Sequence, residues 1–275
     1  MCRYLMRVLV LLMANCLPVV PVHADDEARR RTEPQAEQAD VTLDQRIETI
    51  NSEIKESLSR QLAEIPKIDE KNPDAFETYS KRGDLHMFLA DFSKAETDYL
   101  QMVKLKPDVD SSHWRLGIAM YFADHAEKAA AQFDKYHSFD NIDRENGIWR
   151  YLSHRRAFGL EKAREQMLKY EKDDRPPFKE VYRLFDGSLT PDDVLKAIPP
   201  GLPETARNAR LFYSHLYVGM NYSAEGETDL AIDSLQLAIL NPWPRAAGFG
   251  PDYMWHIGRL QYQKLKTELR QAAQP

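Results

Sequence analysis

Apolar residues recur at Leu43, Ile47, Ile50, Ile54, Leu58, Leu62 and Ile65, three or four positions apart. That spacing lays them along one face of a helix, predicted over residues 42–66. Thr42 with Gln45 three residues on makes a capping box at its start, and Pro66 closes it. Such a stripe must be covered, either by the body that follows or by a second copy of the chain. Beyond Pro73 the helical pattern acquires a longer period. Gly83 and Gly117 stand 34 residues apart, as do Ala95, Ala129 and Ala163, and Ala197 and Ala231 continue the ladder. Gly219 falls three such periods after Gly117. A fixed period in this range decides architecture before any single residue does.

The blocks differ in regularity. Residues 76–109 hold Tyr79, Gly83, Asp91-Phe92, Ala95, Tyr99 and Pro107, and residues 110–143 hold Leu116-Gly117, Ala129 and Phe133. The block 144–177 is degenerate: it keeps Ala163 but has Tyr151 in the glycine's place, with Trp149, Leu152, Met167 and Tyr170 as its apolar face. The block 178–211 is weaker still. It reads as a short helix over 178–185 stopped by Gly187, then a second over 191–198, capped by Thr190 with Pro191 in the favoured first position and broken by Pro199-Pro200-Gly201. Residues 212–245 return to the pattern with Val218-Gly219, Tyr222, Ala231, Ala238 and Pro242. The chain is therefore read as three or four hairpins, not five. A last helix is expected over 252–270, within a terminal segment 251–270, covering the open end of the stack.

In their spacing the regular blocks resemble the tetratricopeptide (TPR) pattern of aromatic, Leu-Gly, aromatic, then Ala, aromatic and Pro. The resemblance implies an all-α fold: a right-handed solenoid of helical hairpins with an N-terminal helix and a C-terminal capping helix. The order of parts is narrower than TPR alone. The run from Tyr182 through Asp186-Gly187 to Leu195, followed by Leu216-Tyr217-Val218-Gly219 and Ala224-Glu225-Gly226, is similar to the C-terminal half of NlpI-type bacterial TPR lipoproteins. That resemblance implies a non-enzymatic adaptor, often dimeric, that brings envelope proteases to cell-wall hydrolases.

Composition changes this picture little and the N-terminus changes it more. Apolar residues make up 43% and charged residues 29%, enough for a packed core, and the net charge of −6 argues against a nucleic-acid partner. Met1–Arg7 is basic, Val8–Val20 is apolar apart from Asn15 and Pro18, and Val22-His23-Ala24 supplies small residues before a cut. Residues 1–24 therefore read as a cleaved signal peptide and residues 25–41 as a flexible tether carrying Arg29-Arg30-Arg31. Asn15 before Cys16 is a poor lipidation site, so the expectation is export to the periplasm or beyond without a lipid anchor. Cleavage would remove both cysteines and leave 35 basic against 43 acidic residues, a net of −8 over 251 residues.

The search for chemistry returns little. The eight histidines form no H-x-x-x-H or H-E-x-x-H pair, and no phosphate-loop or dinucleotide fingerprint occurs. No cofactor is expected. His137, Ser138, Asp140 and Asp143 form a local cluster that a hydrolase centred on 137–200 would need. A binding groove is the better founded expectation. The TPR resemblance places Asp84, Met87 and Phe88, then Trp114, Ile118, Tyr121 and Phe122, then Ile148, Leu152, Arg155 and Arg156 on an inward face. Asp84, Phe88, Trp114, Ile118, Tyr121 and Phe122 would grip a partner protein segment, and Arg155 with Arg156 would clamp a carboxylate. The same apolar positions are equally suited to burial between hairpins. Ser80 and Asp84 stand where some TPR domains hold a terminal carboxylate, and an acid there repels one.

Overall fold

A computed structural model describes residues 41–69, 71–172 and 174–273. The expected signal, the Cys16 site and residues 25–40 of the tether lie outside them. Among the described residues the fold is all-helical, with twelve α-helices. None of these helices is long and apolar enough to cross a membrane.

The first helix, α1 (Leu43–Ala63), begins with the capping box: Gln45 N–H donates to Thr42 Oγ1 at 3.2 Å and Thr42 N–H donates to Gln45 Oε1 at 2.8 Å. It ends at Ala63, two residues before Ile65, because Glu64 already serves as its C-cap. Its stripe packs on the body of the same chain. Ile47 and Leu58 are buried, and Ile50, Ile54, Leu62 and Ile65 lean on the core.

Helix pairs follow. Helix α2 (Ala75–Phe88) packs on α3 (Phe92–Leu105), and α4 (Trp114–Phe122) packs on α5 (Ala126–Phe139). Near the C-terminus α10 (Glu204–Glu225) packs on α11 (Thr228–Ile239). One device serves all three. A Cβ added at Gly83 would come within 2.6 Å of the Tyr99 ring, one at Gly117 within 2.7 Å of the Phe133 ring, and one at Gly219 within 2.7 Å of Leu235. In each pair the large residue lies sixteen positions after the glycine and fills the space its missing side chain leaves. Ala95, Ala129 and Ala231 are fully buried in the partner helices. The turns repeat as well. Ala90, Asp124 and Gly226, at equivalent positions of the three pairs, all take left-handed backbone, with φ of 65°, 65° and 84°.

The middle of the chain departs from this. Helix α6 (Arg144–Phe158) packs on α5, but its partner α7 (Leu160–Glu165) has only six residues and gives way to an irregular stretch. Ala163 is buried, while Ala197 is exposed at the end of a short helix, so its place in the 34-residue ladder reflects no packing. In α6 the close approach falls at Gly147, one turn before Tyr151, and Tyr170 and Tyr182 occupy the space beside it. Helix α8 spans Phe178–Phe185, and α9 spans Pro191–Lys196 behind a Thr190 capping box with Asp193.

The last helix, α12 (Phe249–Ala272), starts three residues before Asp252 and runs further than expected. It packs on α11, as a terminal helix would, but also reaches back to α2. Tyr253 meets Phe88 and Trp114 edge-on, His256 stacks on Phe88 at 3.9 Å, and Arg259 donates to the Phe88 carbonyl. Helix α1 packs on α11, and Asp44 accepts from Gln236 at 2.5 Å, Tyr262 at 2.6 Å and Lys266 at 2.6 Å. The two ends of the described chain are thus joined to each other.

Candidate functional site

The position of α12 decides where the expected groove residues lie. Phe88, Ile118 and Phe122, expected on an open inward face, are buried, because α12 lies across Phe88 and because Phe122 packs between Phe92 and Tyr121. Asp84 is also withdrawn. It accepts from Tyr99 Oη at 2.6 Å and from Arg115 Nη1 at 2.8 Å, and burial pushes its carboxyl up against the opposing charge of Arg115. With Phe88 and His256 it lines a cavity of about 430 Å³ beside α1.

Tyr121 is half-buried, edge-on to Trp149 at 5.5 Å. The two arginines of the expected clamp already have partners. Arg155 pairs with Glu225, while Arg156 pairs with Asp124, donates to the Tyr121 carbonyl at 2.8 Å and lies over the Tyr121 ring. The structure therefore brings Trp114 and Ile118 together, sets Asp84 with Phe88 elsewhere, and leaves Arg155 and Arg156 apart from both groups.

The hydrolase cluster is likewise divided among local tasks. Ser138 Oγ donates to the Lys135 carbonyl, Asp140 accepts from the backbone of Ile142 and Asp143, and Asp143 caps α6. His137 meets the edge of Tyr170 at 6.2 Å. Among the described residues no group of three His, Cys, Asp or Glu is placed to hold a metal ion.

Trp114 and Ile118 do line a concavity, of about 470 Å³, that the repeat pattern did not mark. Helix α4 gives it those two residues, α5 gives Tyr136, and α6 gives Glu145, Asn146 and Trp149. Arg175 and Pro176 come from the stretch before α8, Tyr213 from α10, Trp243 from the turn after α11, and Met254 from α12. Asp143 closes its polar side. Its walls are thus three indoles and two phenols, and its charged groups sit together on one side.

That side is a built network. Trp149 Nε1 donates to Tyr217 Oη at 3.1 Å, and Tyr217 Oη donates to Glu145 Oε1 at 2.6 Å. The second oxygen of Glu145 takes an ion pair from Arg175. Burial pushes the Glu145 carboxyl up to about 7, against the pull of the Arg175 charge. Asp143 holds the N-terminus of α6 through the amides of Glu145 and Asn146. Burial raises its carboxyl too, with Arg175 again opposing. A buried carboxylate of this kind is tolerated because each oxygen has a donor.

Some of this had a sequence signal. Trp149 was on the apolar face of the degenerate block, Asp143 was in the local acid cluster, and Trp243 lies in a Pro-Trp-Pro turn. Nothing in the spacing joined Trp243 to Asp143 and Trp149, since it lies about a hundred residues further along the chain and meets them only through packing. No family model matches the chain.

Proposed function

We propose that this chain is a non-enzymatic adaptor, a TPR-type stack of helical hairpins whose work is to hold a segment of a partner protein. The observation that carries the reading is the cavity of about 470 Å³ walled by Trp114, Trp149, Trp243, Tyr136 and Tyr213 with Arg175 at its edge. Large aromatic rings and arginine are the side chains that protein interfaces favour, and a preformed concavity receives an anchor without refolding. Support for the TPR-type arrangement comes from the three glycine-to-large-residue seams and the left-handed turns at equivalent positions. The signal-like N-terminus adds export to the reading. By resemblance, the partners are envelope proteases or cell-wall hydrolases.

The test is a comparison of captured proteins. Wild-type chain and a Trp114→Ala, Trp243→Ala double variant are immobilised and exposed to the same cell-envelope extract, after circular dichroism has shown equal helix content. At least one protein held by the wild type should fall by about tenfold or more on the variant, as expected for loss of aromatic anchors. If every captured protein is retained undiminished, the pocket is not the binding site and the reading fails.

A further inference from the structure

Of the charged side chains that line the pocket, two are acids, Asp143 and Glu145, and one is a base, Arg175. Asp143, Glu145 and Asp174 surround the single guanidinium of Arg175, which pairs with Glu145 and lies 3.3 Å from Asp174 and 3.7 Å from Asp143. Arg175 itself shows how the site treats a cation: its guanidinium rests 4.3 Å from the Phe178 ring and 5.9 Å from the Tyr213 ring while carboxylates hold its edge. Aromatic rings and two of those carboxylates, Asp143 and Glu145, also line the empty volume bounded by Trp114, Trp149 and Trp243.

Indole faces carry negative potential and attract cations, most strongly where water is displaced. A partly buried carboxylate adds to that attraction because the surrounding dielectric is low. An acidic side chain entering the pocket would instead meet like charges, and a neutral one would gain only its buried area. Resting on the adaptor reading, we propose that the anchor this pocket receives is cationic, a lysine or arginine side chain of the bound protein segment. Its alkyl stem lies along the indoles and its charged head is turned to Asp143 and Glu145.

Protonation tunes the site. The groups facing Glu145 are Arg175 and Asp174 from the stretch before α8, Asp143 from the cap of α6, and Tyr213 and Tyr217 from α10. Only the ionised carboxylate attracts a cation, so occupancy rises as pH climbs through neutrality.

The experiment titrates the full chain with three blocked pentapeptides, acetyl-Ala-Ala-X-Ala-Ala-amide, in which X is lysine, norleucine or glutamate. Tryptophan fluorescence and calorimetry follow binding. The lysine peptide should bind about tenfold more tightly than the norleucine peptide, the glutamate peptide most weakly, and only the lysine peptide should gain affinity between pH 6 and pH 8. Asp143→Asn keeps the α6 cap, since asparagine caps as well as aspartate. It should reduce lysine-peptide affinity several-fold while leaving the norleucine peptide unchanged. Equal or tighter binding of the norleucine peptide overturns the cationic anchor and leaves the adaptor reading standing. Failure of all three peptides to bind also overturns it, and the capture comparison with the double tryptophan variant then decides the adaptor reading separately.

Discussion

The regular hairpins and the irregular middle of this chain use their residues in opposite ways. In α2–α3, α4–α5 and α10–α11 a glycine faces a large side chain sixteen positions later, an alanine is fully buried in the partner helix, and the turn passes through left-handed backbone. The small and large residues of the repeat are spent there on close approach. Between α6 and α9 the second helix of the pair shrinks to six residues and the ladder position Ala197 is exposed. There the chain places Asp143, Glu145 and Arg175 around one cavity. The regular pairs hold charge in ion pairs between their helices, Asp84 with Arg115 and Asp98 with Arg82, while the lapse in repetition sets two acids and an arginine around an aromatic cavity.

The largest effect that would sharpen this contrast lies in the seams. Gly117→Val drives two methyl groups toward the Phe133 ring, which a bare Cβ would already approach to 2.7 Å, and should cost about 3 kcal/mol in urea unfolding. Gly250→Ala, with nothing within 4 Å of the added carbon, should change stability by less than about 0.5 kcal/mol. Equal costs at the two sites would break the claim that the seams are sterically filled.

A second contrast is in pH. His113 caps α4 by accepting the Leu116 amide, and burial lowers it to about 3. The folded state then binds its proton far less readily than the unfolded chain, so this stability is present above about pH 6.5 and lost as pH falls. Glu145 is raised from 4.5 to about 7, so the folded state holds a proton that the unfolded chain has released, and its contribution falls as pH rises from about 4.5 to 7. His113→Asn, which can still cap α4, should flatten the acid side of a plot of thermal midpoint against pH by a few degrees. Glu145→Gln should flatten the opposite slope. Parallel changes in the two variants would contradict the assignment.

The smallest effect concerns the turns. Ala90 takes at φ 65° the backbone that Gly226 takes without a side chain to strain. Ala90→Gly should raise stability by about 1 kcal/mol, and any loss would mean that the turn is not strained.

Much of the helical outline was legible because it depends on neighbours in sequence. Thr42 and Gln45 form the capping box that their spacing suggested, the helix expected over 178–185 spans Phe178–Phe185, and Thr190 caps the helix that Pro191 begins. The period marked by Gly83, Gly117 and Gly219 has a packing counterpart, since each of the three meets a large side chain sixteen positions later. What local pattern could not contain was the path of α12. Its apolar face is compatible with covering an end or lying across an inner face, and the choice is made by Tyr253 and His256 against Phe88 and by Tyr253 against Trp114, more than a hundred residues away. The pocket was hidden for the same reason. Trp114 was expected in a groove, but Trp149, Tyr213 and Trp243 each look like core residues of their own helices or turns until the fold sets them around a common space with it.

The joining of α1 to α11 and α12 through Asp44 has a kinetic meaning. In a linear array each unit touches only its neighbours, and such chains can fray from either end. Here residues about two hundred positions apart in sequence, Asp44 with Gln236, Tyr262 and Lys266, and Glu48 with Arg270, must find one another before the outermost helices are secured. Closing so long a loop slows folding. Once closed, it takes away the loose termini from which unravelling would begin, so α1 and α12 should exchange their amide hydrogens together rather than one by one.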